Sequence, residues 1–313
     1  MNKRSINVFL DNNKYKYIKN YPISKMTTIG LGGIAAYVVY PLTIKELVEV
    51  ILFCRNSKIK FEILGNGSNV LFSDKTYKGI IISLNYLSRV YKNDNYIYTF
   101  AGVKLPYLSY YAMQNEIINF ETFSLIPGSV GASLCINAGA YGKCIGDVVE
   151  SVVVLNETNE IKLLKKEELN FSYRDSNLKN EKLIVLLAIF KIEKGNKYEI
   201  KSKMDLYAKL RQDSQPLYER KFGSLFKNPN DTKVYKIIRE CGLSDYSYKG
   251  VRLSKKHSNF LQISTNNCAK DVLYFIENIR KKVYNKIGIL LDNEVILKNW
   301  REKDVKRIKR TYK

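Results

Sequence analysis

The sequence predicts a mixed protein of the α+β or α/β class, in two domains or two plus a smaller third, and three observations predict it. The chain is 313 residues long, about twice the roughly 150 residues of a single domain. Strand-like apolar runs alternate with helix-like stretches along it. Twelve of the 17 glycines fall between Gly30 and Gly146, in tight knots, and five are left for the rest of the chain. Backbone that turns sharply or is closely approached is therefore concentrated in the first half. With 45% hydrophobic and 26% charged residues, the composition is that of a folded globular chain rather than a disordered one.

Taken in order, Ala35–Tyr40 reads as a strand ending at Pro41. Thr43 caps a helix from Ile44 to Asn56, with Glu46 three residues on at the spacing of a capping box. Lys60–Leu64 is a strand running into Gly65-Asn-Gly-Ser-Asn69, and Val70–Phe72 and Gly79–Ser83 are strands after it. Tyr96–Phe100 is followed by a helix from Leu105 to Asn115. Ser151–Leu155, Glu160–Leu164 and Leu183–Ile192 are further strands. A long helix from Glu199 to Asp213 stops before Pro216, since proline cannot continue it. No repeat of fixed period interrupts this order.

Composition and charge exclude several functions. Lys and Arg number 52 against 30 Asp and Glu, a net charge of +22. The excess is lysine spread along the chain, with one concentration from Lys298 to Lys313. Specific base contacts and bidentate phosphate clamps favour arginine, so anionic small molecules are expected as ligands and nucleic acid is not. The longest apolar run, Leu183–Phe190, falls far short of the ~18 residues of a membrane span. The N-terminus has no apolar signal core. A cytoplasmic protein without membrane insertion is expected. Cys54, Cys135, Cys144, Cys241 and Cys268 are odd in number and form no CxxC pair, so reduced thiols are expected. His257 is the one histidine; no metal site is expected, and a Ser-His-Asp triad would have to use it.

Two glycine knots and three polar segments carry the chemistry. Gly65-Asn-Gly-Ser-Asn69 is no Walker loop, and as GxGxxG it fails at Val70. It offers consecutive backbone N–H groups with the Ser68 and Asn69 side chains, which suits either a pyrophosphate cradle or a plain tight turn. From Ile126 to Gly142 small residues recur without a charge, so the backbone lies flat against either a cofactor or a dense core. Phe171-Ser-Tyr-Arg-Asp-Ser176, Gly223-Ser-Leu-Phe-Lys-Asn-Pro229 and Leu290-Leu-Asp-Asn-Glu-Val-Ile296 set polar groups among apolar ones. Singly, Arg174 reads as a surface ion pair, Ser224 as a turn residue and Glu294 as a strand-edge carboxylate.

Together these segments resemble the UDP-N-acetylenolpyruvoylglucosamine reductase (MurB) family. The match begins at Thr27-Thr-Ile-Gly-Leu-Gly-Gly33 and Leu64–Leu71 and continues through Ile126–Gly142 and Phe171–Ser176. Arg211–Pro216, Gly223–Pro229, Leu253-Ser-Lys-Lys-His-Ser-Asn-Phe260 and Gly288–Val295 complete it, all in the family's order. Asn66, Ala132 and Lys249 stand where the family more often has glycine. With no insertion between Arg174 and Ser224, the chain is similar to the shorter class, which lacks an extra substrate-covering loop.

The resemblance implies an α+β fold with a two-part FAD-binding region of the vanillyl-alcohol-oxidase type and a C-terminal α+β substrate domain. The expected divisions are 20–83 and 84–196 for FAD, 205–298 for substrate, and 299–313 as a basic extension. It implies an NADPH-dependent flavoenzyme that reduces an enolpyruvyl ether on a UDP-sugar. The FAD residues it implies are Gly65, Asn66, Gly67, Ser68 and Asn69 in the first knot. In the second they are Pro127, Gly128, Ser129, Gly131, Ala132, Asn137, Gly139, Ala140, Tyr141 and Gly142. Arg174 and Glu294 are implied at the substrate carboxylate and Ser224 as proton donor. Lys227, Asn228, Arg211, Gln215, Ser254, His257 and Asn259 are implied as substrate-binding residues.

Overall fold

Each predicted strand and helix from residue 35 to residue 214 forms in the computed structural model, with ends shifted by up to two residues. The structure describes residues 3–216, 220–229, 232–301 and 304. The chain divides into two compact units, 1–19, 36–66 and 78–210 in the first, and 20–35, 67–77 and 211–313 in the second.

In the first unit the helix Ile44–Asn56 begins where Thr43 Oγ1 accepts the Glu46 N–H at 3.1 Å. The Glu46 carboxylate reaches one residue further back than in a strict capping box, accepting the Leu42 N–H at 2.9 Å. A four-stranded sheet runs in the order Tyr17–Pro22, Ile34–Val39, Tyr77–Ser83, Phe61–Leu64. A second sheet, antiparallel throughout, runs Ile161–Lys165, Val149–Leu155, Ile184–Lys191, Tyr96–Phe100, Val90–Asn93. Leu47 and Ile51 of the helix join Ile80, Ile82, Phe120 and Phe190 in one apolar core, which is the main source of stability for such a layered unit.

The second unit has its own core, around the helix Ala269–Ile287. Val272, Phe275, Ile276, Ile279 and Val283 are buried on that helix, the spacing of a core-facing stripe. They pack with Val251 and Leu253 of the antiparallel sheet Ser247–Tyr248, Val251–Leu253, Leu261–Gln262. The Asp74 carboxylate accepts the Ala269 and Lys270 N–H groups at 2.8 and 3.0 Å, and Gly288 closes the helix at φ +72°. Val70–Phe72 pairs in parallel with Ile296–Lys298.

The structure adds elements that the sequence does not predict, among them the helices Lys3–Asn12, Val234–Glu240 and Ala269–Ile287, the strands Tyr17–Pro22 and Val90–Asn93, and the sheet between Ser247 and Gln262. It also moves Glu294 off the expected strand. Regular pairing starts only at Ile296, and the segment before it is held through one isolated bridge, Phe226 to Asn293. Most of the basic extension, 302–303 and 305–313, lies outside the described residues. All five cysteines are free thiols.

Candidate functional site

In the first unit the two glycine knots meet. The Asn66 Nδ2 donates to the Pro127 carbonyl at 2.8 Å. A Cβ on Gly65 would collide with Ser129 Oγ and stand 3.2 Å from the Ser129 Cβ and 3.5 Å from that of Ala132. Glycine is required there by close approach. Ser129 Oγ is buried without a hydrogen-bond partner among the described residues, whereas buried hydroxyls are normally paired. Ala132 is exposed beside it. Gly65, Ser129 and Ala132 thus form a floor of small groups carrying an unsatisfied hydroxyl, and such a floor fits the flat, polar face of a dinucleotide cofactor.

Other members of the second knot answer to the core instead. A Cβ on Gly131 would stand 2.8 Å from that of Ala101, while the Gly131 N–H donates to the Ala101 carbonyl at 2.9 Å. At Gly131 the close approach is to the core. Tyr141 and Gly142, at φ +52° and +78°, make the two-residue turn between Gly139–Ala140 and Lys143–Cys144. The Tyr141 ring stacks on Tyr207 at 4.7 Å.

Arg174 sits at the tip of a tight turn in the same unit. Ser172 and Asp175 exchange backbone hydrogen bonds of 3.1 and 3.3 Å across it. Arg174 adopts φ +58°, a left-handed conformation that costs a non-glycine residue about 1–2 kcal/mol and clusters at functional positions. Asn137 holds the turn, since its Nδ2 donates to the Ser172 carbonyl at 3.0 Å and its Oδ1 accepts the Gly146 N–H at 3.0 Å. On the far side the Ser176 hydroxyl meets the Leu134 and Cys135 carbonyls at 3.1 and 3.0 Å. Lys179, 2.9 Å from Asp175, holds that carboxyl below its ordinary range.

In the second unit Ser224 and Glu294 come together on adjacent segments. Glu294 N–H donates to the Leu225 carbonyl at 2.8 Å, and Lys227 N–H donates to that of Asp292 at 2.9 Å. Arg280 supports the Glu294 segment through the Leu291 carbonyl, 2.7 Å from its Nε, and pairs with Glu277 at 3.2 Å. Burial pushes the Glu277 carboxyl up, against the pull of that arginine. Asn69 of the first knot is bound to the same segment. Its Nδ2 donates to the Glu294 carbonyl at 3.0 Å, and its own carbonyl accepts the Ile296 N–H at 3.0 Å. Gly67, at φ +63°, leaves no space for a Cβ beside the Met26 carbonyl and Thr27.

Ser224 is half-buried, and its hydroxyl makes no hydrogen bond among the described residues. Among the described residues nothing lies within 4 Å of where a Cβ on Gly223 would project. The expected substrate residues fall into two groups. Arg211 and Gln215 lie at the end of the helix Lys197–Ser214 and just past it, the Gln215 Oε1 buried without a hydrogen-bond partner among the described residues. Lys227 is half-buried beside Ser224. Asn228, Ser254, His257 and Asn259 direct their polar atoms to nearby backbone: Asn228 Oδ1 accepts the Val234 N–H at 3.0 Å, and His257 Nδ1 accepts that of Asn259 at 3.2 Å. Burial pushes the His257 ring below its ordinary 6.5. It also pushes the Cys54 thiol up to about 12 and that of Cys135 to about 11. Among the described residues no cluster of His, Cys, Asp and Glu could hold a metal, and no helix is long and apolar enough to cross a membrane.

Thr28 went unnoticed in the sequence although it lies inside a matched motif. Its Oγ1 donates to the Lys221 carbonyl at 2.7 Å and its N–H to that of Gly67 at 3.1 Å, so it fixes the backbone of the first knot.

Comparison with known proteins agrees with this geometry. Residues 215–298 match the family model of the UDP-N-acetylenolpyruvoylglucosamine reductase C-terminal domain, and residues 35–164 match an FAD binding domain. The chain is 40% identical over 280 residues to the UDP-N-acetylenolpyruvoylglucosamine reductase of Caldanaerobacter subterraneus subsp. tengcongensis, covering 90% of this chain and 93% of that protein. It is 36% identical over 285 residues to that of Prochlorococcus marinus, covering 90% and 98%. The crystal structure of the Thermus caldophilus reductase superposes with a TM-score of 0.76 at 27% identity, over 90% of this chain and 98% of that one.

Proposed function

The chain belongs to the UDP-N-acetylenolpyruvoylglucosamine reductase family, and from that premise we propose which of its residues bind and which react. The protein is an FAD-dependent oxidoreductase that uses NADPH to convert UDP-N-acetylglucosamine enolpyruvate to UDP-N-acetylmuramate in peptidoglycan precursor synthesis. FAD, when bound, supplies the hydride transfer from NADPH to the alkene that no side chain can perform.

Gly65, Asn66, Ser129 and Ala132 hold the cofactor in the first unit, with Pro127, Gly128 and the Gly139–Gly142 hairpin around them. The resemblance assigns Gly67, Ser68 and Asn69 to the same cofactor. The unsatisfied Ser129 hydroxyl and the absence of room at Gly65 support this assignment. Gly131 and Asn137 serve the cradle by packing and by fixing the Arg174 turn. On this reading 20–83 and 84–196 form the FAD region, and 205–298 the substrate domain.

As the double bond is reduced, negative charge grows on the carbon beside the substrate carboxylate. Arg174, permanently cationic and forked, binds that carboxylate and offsets the charge. Glu294 donates to it in its protonated form, which proximity to an anion favours. Ser224 Oγ delivers the proton to the α-carbon. A hydroxyl is a weak acid at neutral pH, but the carbanion is far more basic, so the transfer runs downhill. Lys227, Arg211 and Gln215 bind the diphosphate and sugar, while Asn228, Ser254 and His257 hold the loops that carry them. The partner is a UDP-sugar, and a sugar nucleotide and NADPH as substrates place the reaction in the cytoplasm.

One observation carries the reading of Ser224. A half-buried hydroxyl with no hydrogen-bond partner among the described residues follows Gly223 and directly precedes a stretch of backbone bonded along both edges. Ser224→Ala should keep FAD, reduction by NADPH and substrate binding, and lose reoxidation by the enolpyruvyl substrate. Ser224→Cys should recover part of the rate, because a thiol also donates a proton. A turn serine predicts near-normal reoxidation in both variants. Stopped-flow reoxidation of the pre-reduced alanine variant within a few-fold of the parent would remove Ser224 from the reaction.

A further inference from the structure

Asn259 is 4% exposed, and its amide is committed to one peptide unit. The Phe226 N–H donates to its Oδ1 at 3.1 Å, and its Nδ2 donates to the Phe226 carbonyl at 2.9 Å. Its own carbonyl takes the Leu225 N–H at 2.9 Å. On the opposite edge the same stretch is bonded to Asp292 and Glu294. The stretch 225–227 is thus bonded along both edges, at Leu225 to both, at Phe226 to Asn259 and at Lys227 to Asp292, and one of those edges is a single residue. A neighbouring strand would continue alongside Ser224. The bonds to Asn259 end at Leu225, and the next residue toward the N-terminus, Ser224, is left with no hydroxyl hydrogen bond among the described residues.

We infer that Asn259 is the positioning residue of Ser224: it sets how far the serine hydroxyl reaches into the space beside Gly223. The inference rests on the reading of Ser224 as proton donor, and it gives Asn259 a different task from the substrate contact that the sequence implied. The amide matches this task by its chemistry. It presents one donor and one acceptor at the spacing of a peptide group. Aspartate of the same shape would set an acceptor against the Phe226 carbonyl, and alanine would leave a buried N–H and C=O unpaired. Proton transfer needs the donor within about 2.6–3.2 Å of its target, and a displacement of about 1 Å costs roughly 100-fold in rate.

The test uses the FAD-bound enzyme and four proteins: the parent, Ser224→Ala, Asn259→Ala and the double variant. Flavin content and reduction by NADPH report integrity, and stopped-flow reoxidation by UDP-N-acetylglucosamine enolpyruvate reports the reaction. Asn259→Ala should slow reoxidation by roughly 10- to 100-fold, with a larger solvent deuterium isotope effect, while reduction by NADPH changes little. In the Ser224→Ala background the same substitution should add no more than about two-fold, because residues acting as a unit are not additive. Should Asn259→Ala fail to fold, the isosteric Asn259→Asp keeps the acceptor for Phe226 and should give the same pattern at smaller amplitude. An equal factor in both backgrounds, an equal loss in both half-reactions, or no loss at all would overturn the clamp and leave Ser224 standing. Parental reoxidation in Ser224→Ala itself would remove the donor, and the positioning role with it.

Discussion

Replacing Gly67 by alanine puts a methyl group where the fold has none to spare. Gly67 sits at φ +63°, and a Cβ there would press on the Met26 carbonyl and stand 2.9 Å from the Thr27 Cα. Both obstacles are backbone, so neither can rotate aside. The left-handed conformation costs alanine about 1–2 kcal/mol. Moving the loop to relieve the clash breaks the 3.1 Å bond from the Thr28 N–H to the Gly67 carbonyl, another ~0.5–1.5 kcal/mol. If FAD binding needs the parental loop, the left-handed strain of about 1–2 kcal/mol must be taken up again on binding, and affinity falls roughly 5- to 30-fold. Titration of apoprotein with FAD, followed by quenching of flavin fluorescence, measures it. Gly288→Ala isolates the conformational term, since Gly288 has φ +72° and nothing within 4 Å of its Cβ position; it should lower the melting temperature and leave FAD affinity alone. Binding by Gly67→Ala within three-fold of the parent would refute the reasoning, and equal weakening in Gly288→Ala would reduce the effect to general destabilisation.

Arg174→Ala should slow reoxidation by the sugar nucleotide on the order of 100-fold while reduction by NADPH suffers less; equal loss in both half-reactions would mean a structural role. Arg174→Gly removes the same charge but suits φ +58°, so it should melt no lower than the parent while remaining as inactive as the alanine variant. His257 links stability to pH. Burial holds its folded-state value below 6.5, so the unfolded chain takes up the proton first, and the contribution is complete above 6.5 and lost as pH falls through the folded value. The gap in melting temperature between the parent and His257→Gln should therefore narrow from pH 7 to pH 5.5. A constant gap would show that the ring does not titrate differently in the two states.

Much of this protein was decided by local sequence. Thr43 and Glu46 start a helix wherever the backbone allows, and the apolar runs Tyr96–Phe100 and Leu183–Ile192 read as strands because strand formation depends on side chains a few residues apart. The glycine knots and collinear motifs carried the family for the same reason, since each is a contiguous piece of backbone chemistry. What the amides do was not legible. Asn137, Asn259 and Asn69 look alike in sequence, as polar residues in glycine-rich or turn segments. Their partners lie 35, 33 and 225 residues away, at Ser172, Phe226 and Glu294. The same limit applies to the glycines. Gly65 and Gly131 belong to equally small-residue stretches, and only the fold turns one toward Ser129 and the other toward Ala101. A residue's backbone preference depends on its neighbours in the chain, but the direction of its hydrogen bonds and the space beyond its Cα depend on segments that arrive only when the core closes.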